Sequence, residues 1–169
     1  MKHALHIGAD YIKPVTLNAQ RQIVMTNLLA LINESGVEFD TVVFVGASGA
    51  LMGPEVASRL NKEMLLVRKD SDSNHSSCWA EGHGDIKRFI VVDDLIATGR
   101  TMKILFEKMA AKLPQAKGVG IFLYNDCGSD SSMAPCFFMR YDFDGNKMSY
   151  RSVIPKPVPA LAKNNGESL

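Results

Sequence analysis

The chain has 169 residues, 46% of them hydrophobic and 22% charged, with a formal net charge of +1. That suits one domain with an ordinary core, and it makes no overall electrostatic case for a nucleic-acid or membrane surface as partner. No apolar stretch approaches the roughly 18 residues of a spanning helix, the first residues lack the apolar run of a signal peptide, and Cys78, Cys127 and Cys136 are an odd number with no pairwise motif, which points to a reducing cytoplasm.

Residues 1–17 contain a candidate short strand and a turn at Pro14, with His3 and His6 read as surface residues. In residues 18–35, Val24, Leu28, Leu31 and Ile32 fall at helical spacing and Gly36 is placed to stop the helix. Residues 42–45 read as a buried strand, 47–49 as a loop of small residues, 51–60 as a helix and 64–67 as a second strand. That is a βαβ unit, whose right-handed crossover implies a parallel sheet. A loop as small as Ala47, Ser48 and Gly49 lets backbone amides approach an anion, although packing alone would also make a turn small. Arg68 and Lys69 end the second strand, either as anion ligands or as a solvated edge.

Residues 70–87 are polar and Ser-rich around the single tryptophan, Trp79. So long a stretch without structure inside a compact domain reads as a lid or binding loop. His75, Cys78 and His83 are three potential metal ligands without a fourth, and zinc is disfavoured. Glu81 is a carboxylate within this lid, or a plain solvated acid.

Ile90, Val91 and Val92 form a short β-branched strand that delivers Asp93 and Asp94 at its end. Ala97, Thr98 and Gly99 then lead into Thr101 and a helix with Met102, Leu105, Phe106, Met109 and Leu113 on one face. Free amides at that helix start, the hydroxyls of Thr98 and Thr101, and the charge of Arg100 make a cradle for one phosphate. The carboxylates cannot sit on the phosphate, so they face hydroxyl donors, a hydrated cation, or both. A ribose 5-phosphate has that distribution of groups. Residues 118–124 read as another strand, bringing the parallel sheet to about four. Residues 136–143 and 148–154 alternate about Asp144, Gly145 and Asn146 as a β-hairpin, and 155–169, with Pro155, Pro157 and Pro159, read as an extended tail.

The twelve residues 90–101, IVVDDLIATGRT, resemble the phosphoribosyl-pyrophosphate (PRPP) motif of type I phosphoribosyltransferases. Gly46, Gly49, Gly53, Pro54, Ala57, Leu60, Arg68 and Lys69 fall at spacings similar to those of the adenine-specific members. The resemblance implies an α/β fold: a central parallel sheet flanked by helices, a Rossmann-like core over about residues 37–125. A small hood would come from about 1–17 and 136–154, and the tail would be flexible. It implies transfer of ribose 5-phosphate from PRPP to a nucleobase with release of pyrophosphate, in a homodimer. Asp93, Asp94 and Glu81 would be catalytic; Ala97, Thr98, Gly99, Arg100 and Thr101 would bind the 5-phosphate; Ala47, Ser48, Gly49, Arg68 and Lys69 would bind pyrophosphate. Mg²⁺ would be held at Asp93 and Asp94, largely through hydroxyls or water. Related hypoxanthine-guanine enzymes usually carry aspartate where this chain has Ala97, which favours adenine or a related purine; Arg100 departs from the glycine of the adenine group, which keeps orotate or another pyrimidine or pyridine open. A regulator of the same fold that binds PRPP without transferring it is the alternative from a different class.

Overall fold

The computed structural model describes residues 12–69, 78–125, 135–138 and 150–152. The elements run α1 (Lys13–Thr16), α2 (Asn18–Ser35), β1 (Thr41–Val45), α3 (Gly46–Arg59), β2 (Glu63–Val67), β3 (Ala80–Gly82), β4 (Arg88–Asp93), α4 (Arg100–Lys112), β5 (Lys117–Leu123), β6 (Cys136–Phe138) and β7 (Tyr150–Ser152). Among the described residues, seven strands share one sheet, ordered β3-β2-β1-β4-β5-β6-β7. β2, β1, β4 and β5 are mutually parallel, the four strands expected. β3 adds antiparallel at one edge, and β6 and β7 add antiparallel at the other.

Strand alternation divides the core into two layers. Val42, Phe44, Ile90, Val92 and Phe122 point to one face, where Leu28, Leu31 and Ile32 of α2 and Met52 and Val56 of α3 cover them. Val43, Val45, Val91, Ile121 and Leu123 point to the other, under Met102, Leu105 and Met109 of α4. Strands covered on both faces need apolar residues at every position, which is why β1 is buried along its whole length. α2 stops at Gly36, in the left-handed conformation at φ 66° with its N–H bonded to the Asn33 carbonyl, as the sequence indicates.

Three expectations need correction. The small residues 47–49 are not a loop: they are the first turn of α3, which starts at Gly46 rather than at 51. Gly46, at φ 65°, turns the chain from strand to helix in one residue. Gly49 and Gly53 are poor helix formers intrinsically, but a side chain at either would strike Phe44, so packing of α3 on β1 overrides propensity. Second, the stretch 70–87 is not all loop. Residues 80–82 form β3, Arg68 donates its amide to the Trp79 carbonyl at 2.9 Å, and Ile86 is fully buried; residues 70–77 lie outside the described residues. Third, Cys78 is an exposed thiol outside any disulfide but Cys136 is disulfide-bonded, which departs from the reducing environment that an odd set with no pairwise motif pointed to. The strands read as a hairpin, β6 and β7, pair with each other and continue the central sheet; of the segments assigned to a hood, residues 1–11, 139–149 and 153–154 lie outside the described residues, as does the tail 155–169. Among the described residues no helix is long and apolar enough to cross a membrane.

A β-carbon at position 53 would sit 2.5 Å from the Phe44 ring, whereas one at position 84 meets nothing within 4 Å. Gly53→Ala should therefore lower the unfolding free energy by about 1–3 kcal/mol, with Gly84→Ala near neutral. Urea denaturation of the two variants checks this; equal effects would contradict the tight seat of α3.

Candidate functional site

β1 and β4 are neighbours, yet their connections leave to opposite faces of the sheet: β1 runs into α3 on one side and β4 into α4 on the other. The crevice between such strand ends is where open α/β sheets bind ligands. A cavity of about 460 Å³ occupies this position. Its lining comes from Ala47, Ser48 and Leu51 of α3, from Lys69 after β2, from Asp93 and the continuous run 94–102, and from Ile12.

Asp93 and Asp94 are only 4% and 7% exposed. Asp93 Oδ1 accepts the Ser48 hydroxyl at 2.8 Å and the Asp94 amide at 2.9 Å. The extension of β5 holds the backbone beside them, with Tyr124 N–H on the Asp93 carbonyl and Asn125 N–H on that of Asp94, each at 3.1 Å. Burial, and then the charge of Asp94, push the Asp93 carboxyl up to about 7, with the Ser48 hydroxyl pulling the other way. The pair thus carries more negative charge than the protein around it offsets.

Five residues after Asp94, Gly99 stands at φ 75° as the cap of α4. Its positive φ turns the chain into the helix, whose first amides lack intrahelical acceptors, and residues 97–102 line the cavity. Thr98 Oγ1 accepts the Arg100 amide at 3.4 Å. The partial positive charge of a helix start, two threonine hydroxyls and Arg100 therefore lie along one wall, and the two carboxylates at the strand end next to it. Lys69 crosses to the start of α3: its Nζ lies 3.0 Å from where a β-carbon on Gly46 would be. Ile12 and Leu51 give the cavity an apolar side. Arg21 of α2 fixes that side, donating to the Leu51 carbonyl at 2.7 Å and to Glu55 at 2.8 Å.

Of the residues singled out in the sequence, Ala47, Ser48, Lys69, Asp93, Asp94, Ala97, Thr98, Gly99, Arg100 and Thr101 line this one cavity. Gly49, Arg68 and Glu81 do not. Gly49 is buried against Phe44 and the Val92 carbonyl, so its missing side chain serves helix packing. Arg68 turns its guanidinium to Glu81 on β3, with Nε at 2.7 Å from the carboxylate. Glu81 is half exposed on the edge strand. Ile12 and Leu51 went unrecognised in the sequence because an apolar residue in a turn or on a helix carries no mark of facing a ligand.

The oxygen donors and the uncompensated charge of the carboxylate pair suit a hard, hydrated dication such as Mg²⁺. Among the described residues no group of three or more His, Cys, Asp or Glu is placed to hold a metal. A cation here would take its remaining oxygens from water and ligand.

A family model described as "Phosphoribosyl transferase domain" matches residues 15–145. An orotate phosphoribosyltransferase of Pyrobaculum aerophilum is 31% identical over 100 residues, 57% of this chain and 51% of that protein. An adenine phosphoribosyltransferase of Mycoplasma mycoides is 32% identical over 100 residues, 50% of this chain and 58% of that protein. The chain thus spans about half the length of the curated relatives it matches. Among solved structures, orotate phosphoribosyltransferase of Francisella tularensis shares the fold at a TM-score of 0.55 and 18% identity, over 70% of this chain and 59% of that one. Adenine phosphoribosyltransferase of Leishmania donovani does so at 0.53 and 19%, over 67% and 55%.

The folded protein holds the Asp93 proton more tightly than an unfolded chain, whose carboxyl titrates at the ordinary 3.8. Stability linked to this group is therefore full below 3.8 and is lost as pH rises through about 7. Asp93→Asn keeps an oxygen for the Ser48 hydroxyl and the Asp94 amide but removes the charge. Its unfolding free energy without divalent cations should exceed that of wild type by about 1–3 kcal/mol at pH 8, a gap that closes towards pH 4. A gap independent of pH would contradict the buried, uncompensated carboxylate.

Proposed function

Since this chain belongs to the phosphoribosyl transferase domain family, matched over residues 15–145, we propose that it transfers ribose 5-phosphate from PRPP to a ring nitrogen of a nucleobase, adenine or a related purine, releasing pyrophosphate. The observation that carries this reading is the meeting, on one cavity, of the buried Asp93–Asp94 pair with the start of α4 at residues 97–101. A ligand with a phosphate at one end and a diol next to it satisfies both.

In this reading the amides of residues 97–101, the hydroxyls of Thr98 and Thr101, and Arg100 hold the 5-phosphate. Asp93 and Asp94 accept the ribose hydroxyls. Ala47 and Lys69 receive the pyrophosphate at the start of α3. Breaking the anomeric bond leaves an oxocarbenium-like sugar and a departing polyanion, so catalysis rests on charge placement and on orienting the base. Bound at Asp93 and Asp94, Mg²⁺ would supply positive charge to that polyanion. Arg68 is paired with Glu81 at the stem of the β2–β3 hairpin. Such a partly exposed pair is worth little, roughly 0–1 kcal/mol, and a pyrophosphate group, with several anionic oxygens, draws the guanidinium away. Glu81 is then released to accept the proton of the incoming base. Residues 70–77, which follow Lys69 in the sequence and lie outside the described residues, are the proposed lid that excludes water from PRPP. Lys108 of α4 steadies its stem through the Arg68 carbonyl at 2.7 Å.

Ala97 presents a methyl group where hypoxanthine-guanine enzymes usually place a carboxylate, which supports adenine. The orotate-specific relative at 31% identity supports orotate as a second reading. Homodimer formation is proposed by analogy with the family.

Incubating the full chain with PRPP, Mg²⁺ and separate bases, then identifying nucleotides by mass spectrometry, tests the assignment. Adenylate is expected. Orotidylate would establish the second reading, and PRPP binding without any product would make the protein a binder instead of a transferase. The lid has its own consequence. Trp79, packed against the α4 layer of the core near the lid stem, should change fluorescence on adding PRPP with Mg²⁺. Replacing residues 71–77 by a Gly-Ser linker should reduce kcat at least about tenfold with PRPP affinity within about threefold, because closure follows binding. Wild-type turnover in that variant would return the segment to an ordinary surface loop.

A further inference from the structure

Tyr124 lies just beyond β5 and is 1% exposed, yet it carries a hydroxyl into the core. That hydroxyl donates to the Ser48 carbonyl at 2.8 Å. Ser48, in the first turn of α3, donates its own hydroxyl to Asp93 Oδ1 at 2.8 Å, and the Asp94 amide reaches the same oxygen at 2.9 Å. A chain of hydrogen bonds thus joins the ends of β5, β1 and β4, which meet only in the folded sheet.

The proton inventory sets what Ser48 can do. A serine hydroxyl has one proton, and here it points at Asp93. Pyrophosphate oxygens only accept, so a Ser48 committed to Asp93 has no proton for them. Meanwhile the carboxylate torsion of aspartate is intrinsically broad and two-fold. Two donors on Oδ1 remove that freedom and leave Oδ2 as the oxygen these donors do not engage.

We propose that Ser48 is a positioning residue for Asp93, braced by Tyr124, and not a pyrophosphate ligand: the Tyr124–Ser48–Asp93 chain selects which carboxylate oxygen meets the ribose hydroxyls. This rests on the reading of Asp93 as the ribose-hydroxyl acceptor. It reassigns a residue that its place in a small-residue segment had put on the pyrophosphate. It also explains a tyrosine rather than a phenylalanine at position 124, because only the hydroxyl reaches the Ser48 peptide and holds the first turn of α3 at the distance the chain requires.

Calorimetry on the full chain in Mg²⁺, with ribose 5-phosphate and inorganic pyrophosphate as separate probes, distinguishes the two roles. If Ser48 positions Asp93, Ser48→Ala weakens ribose 5-phosphate binding about tenfold and pyrophosphate binding less than about twofold, the scale of one hydrogen bond lost on one ligand only. Ser48→Thr, which keeps the hydroxyl, restores the affinity, and Tyr124→Phe gives a smaller loss, about threefold, with the same ligand selectivity. Loss confined to pyrophosphate, or equal loss for both probes, overturns the proposal. If the wild-type chain binds neither probe, the site reading itself fails, and unfolding free energies of Ser48→Ala, Asp93→Ala and the double variant decide the positioning claim alone: strictly additive changes overturn it, and a favourable coupling between the two positions upholds it.

Discussion

Two carboxylates buried side by side at the end of β4 set the terms for everything around them. A charged carboxylate taken from water is tolerated only when donors, a counter-charge or a proton replace its hydration. Asp93 has the Ser48 hydroxyl and the Asp94 amide on one oxygen, and still its carboxyl is pushed up to about 7. The protein supplies enough donors to fix the pair in place and too few to neutralise it. Such a shortfall in a cavity suits a ligand that brings donors or a cation with it.

The sheet topology explains why these carboxylates meet the start of α4. β1 and β4 lie next to each other and parallel, so their C-terminal ends open at one edge, and the helices that follow start there on opposite faces. α3 contributes Ser48 and α4 contributes Gly99, both within their first turns or caps. Tight seating makes the geometry reproducible: Gly49 and Gly53 let α3 lie on Phe44, and that seat puts Ser48 within reach of Asp93. Packing in the core is thereby tied to the orientation of one oxygen at the site. The ends of β2 and β3 are tied more lightly, by the partly exposed Arg68–Glu81 pair and by Lys108 on the Arg68 carbonyl.

Most of the scaffold was legible in the sequence because its signals are local. α2 has apolar residues at helical spacing and a glycine stop; β1 and β4 are runs of β-branched residues; the string 90–101 carries carboxylates, small residues and threonines in order. What could not be read there depends on contacts between distant residues. The Gly-Ala-Ser-Gly run at 46–49 has the composition of a loop and is helical only because Phe44 leaves no room for side chains. Ala80, Glu81 and Gly82 have no strand preference, and they are a strand because β2 offers them an open edge. Glu81 looks like a free acid until Arg68, 13 residues earlier, is placed beside it. Tyr124 and Ser48 are 76 residues apart, and no spacing rule joins them.

In the proposed reading, Asp93 and Asp94 face the ligand's hydroxyls across from the start of α4 at residues 97–101. The most direct measurement is a calorimetric titration of PRPP in Mg²⁺ against wild type and the Asp93→Asn, Asp94→Asn double variant, with circular dichroism to confirm that both are folded. Removing both charges should abolish PRPP binding while leaving the fold in place. PRPP affinity unchanged in a folded double variant would take the carboxylates out of the site and contradict the assignment.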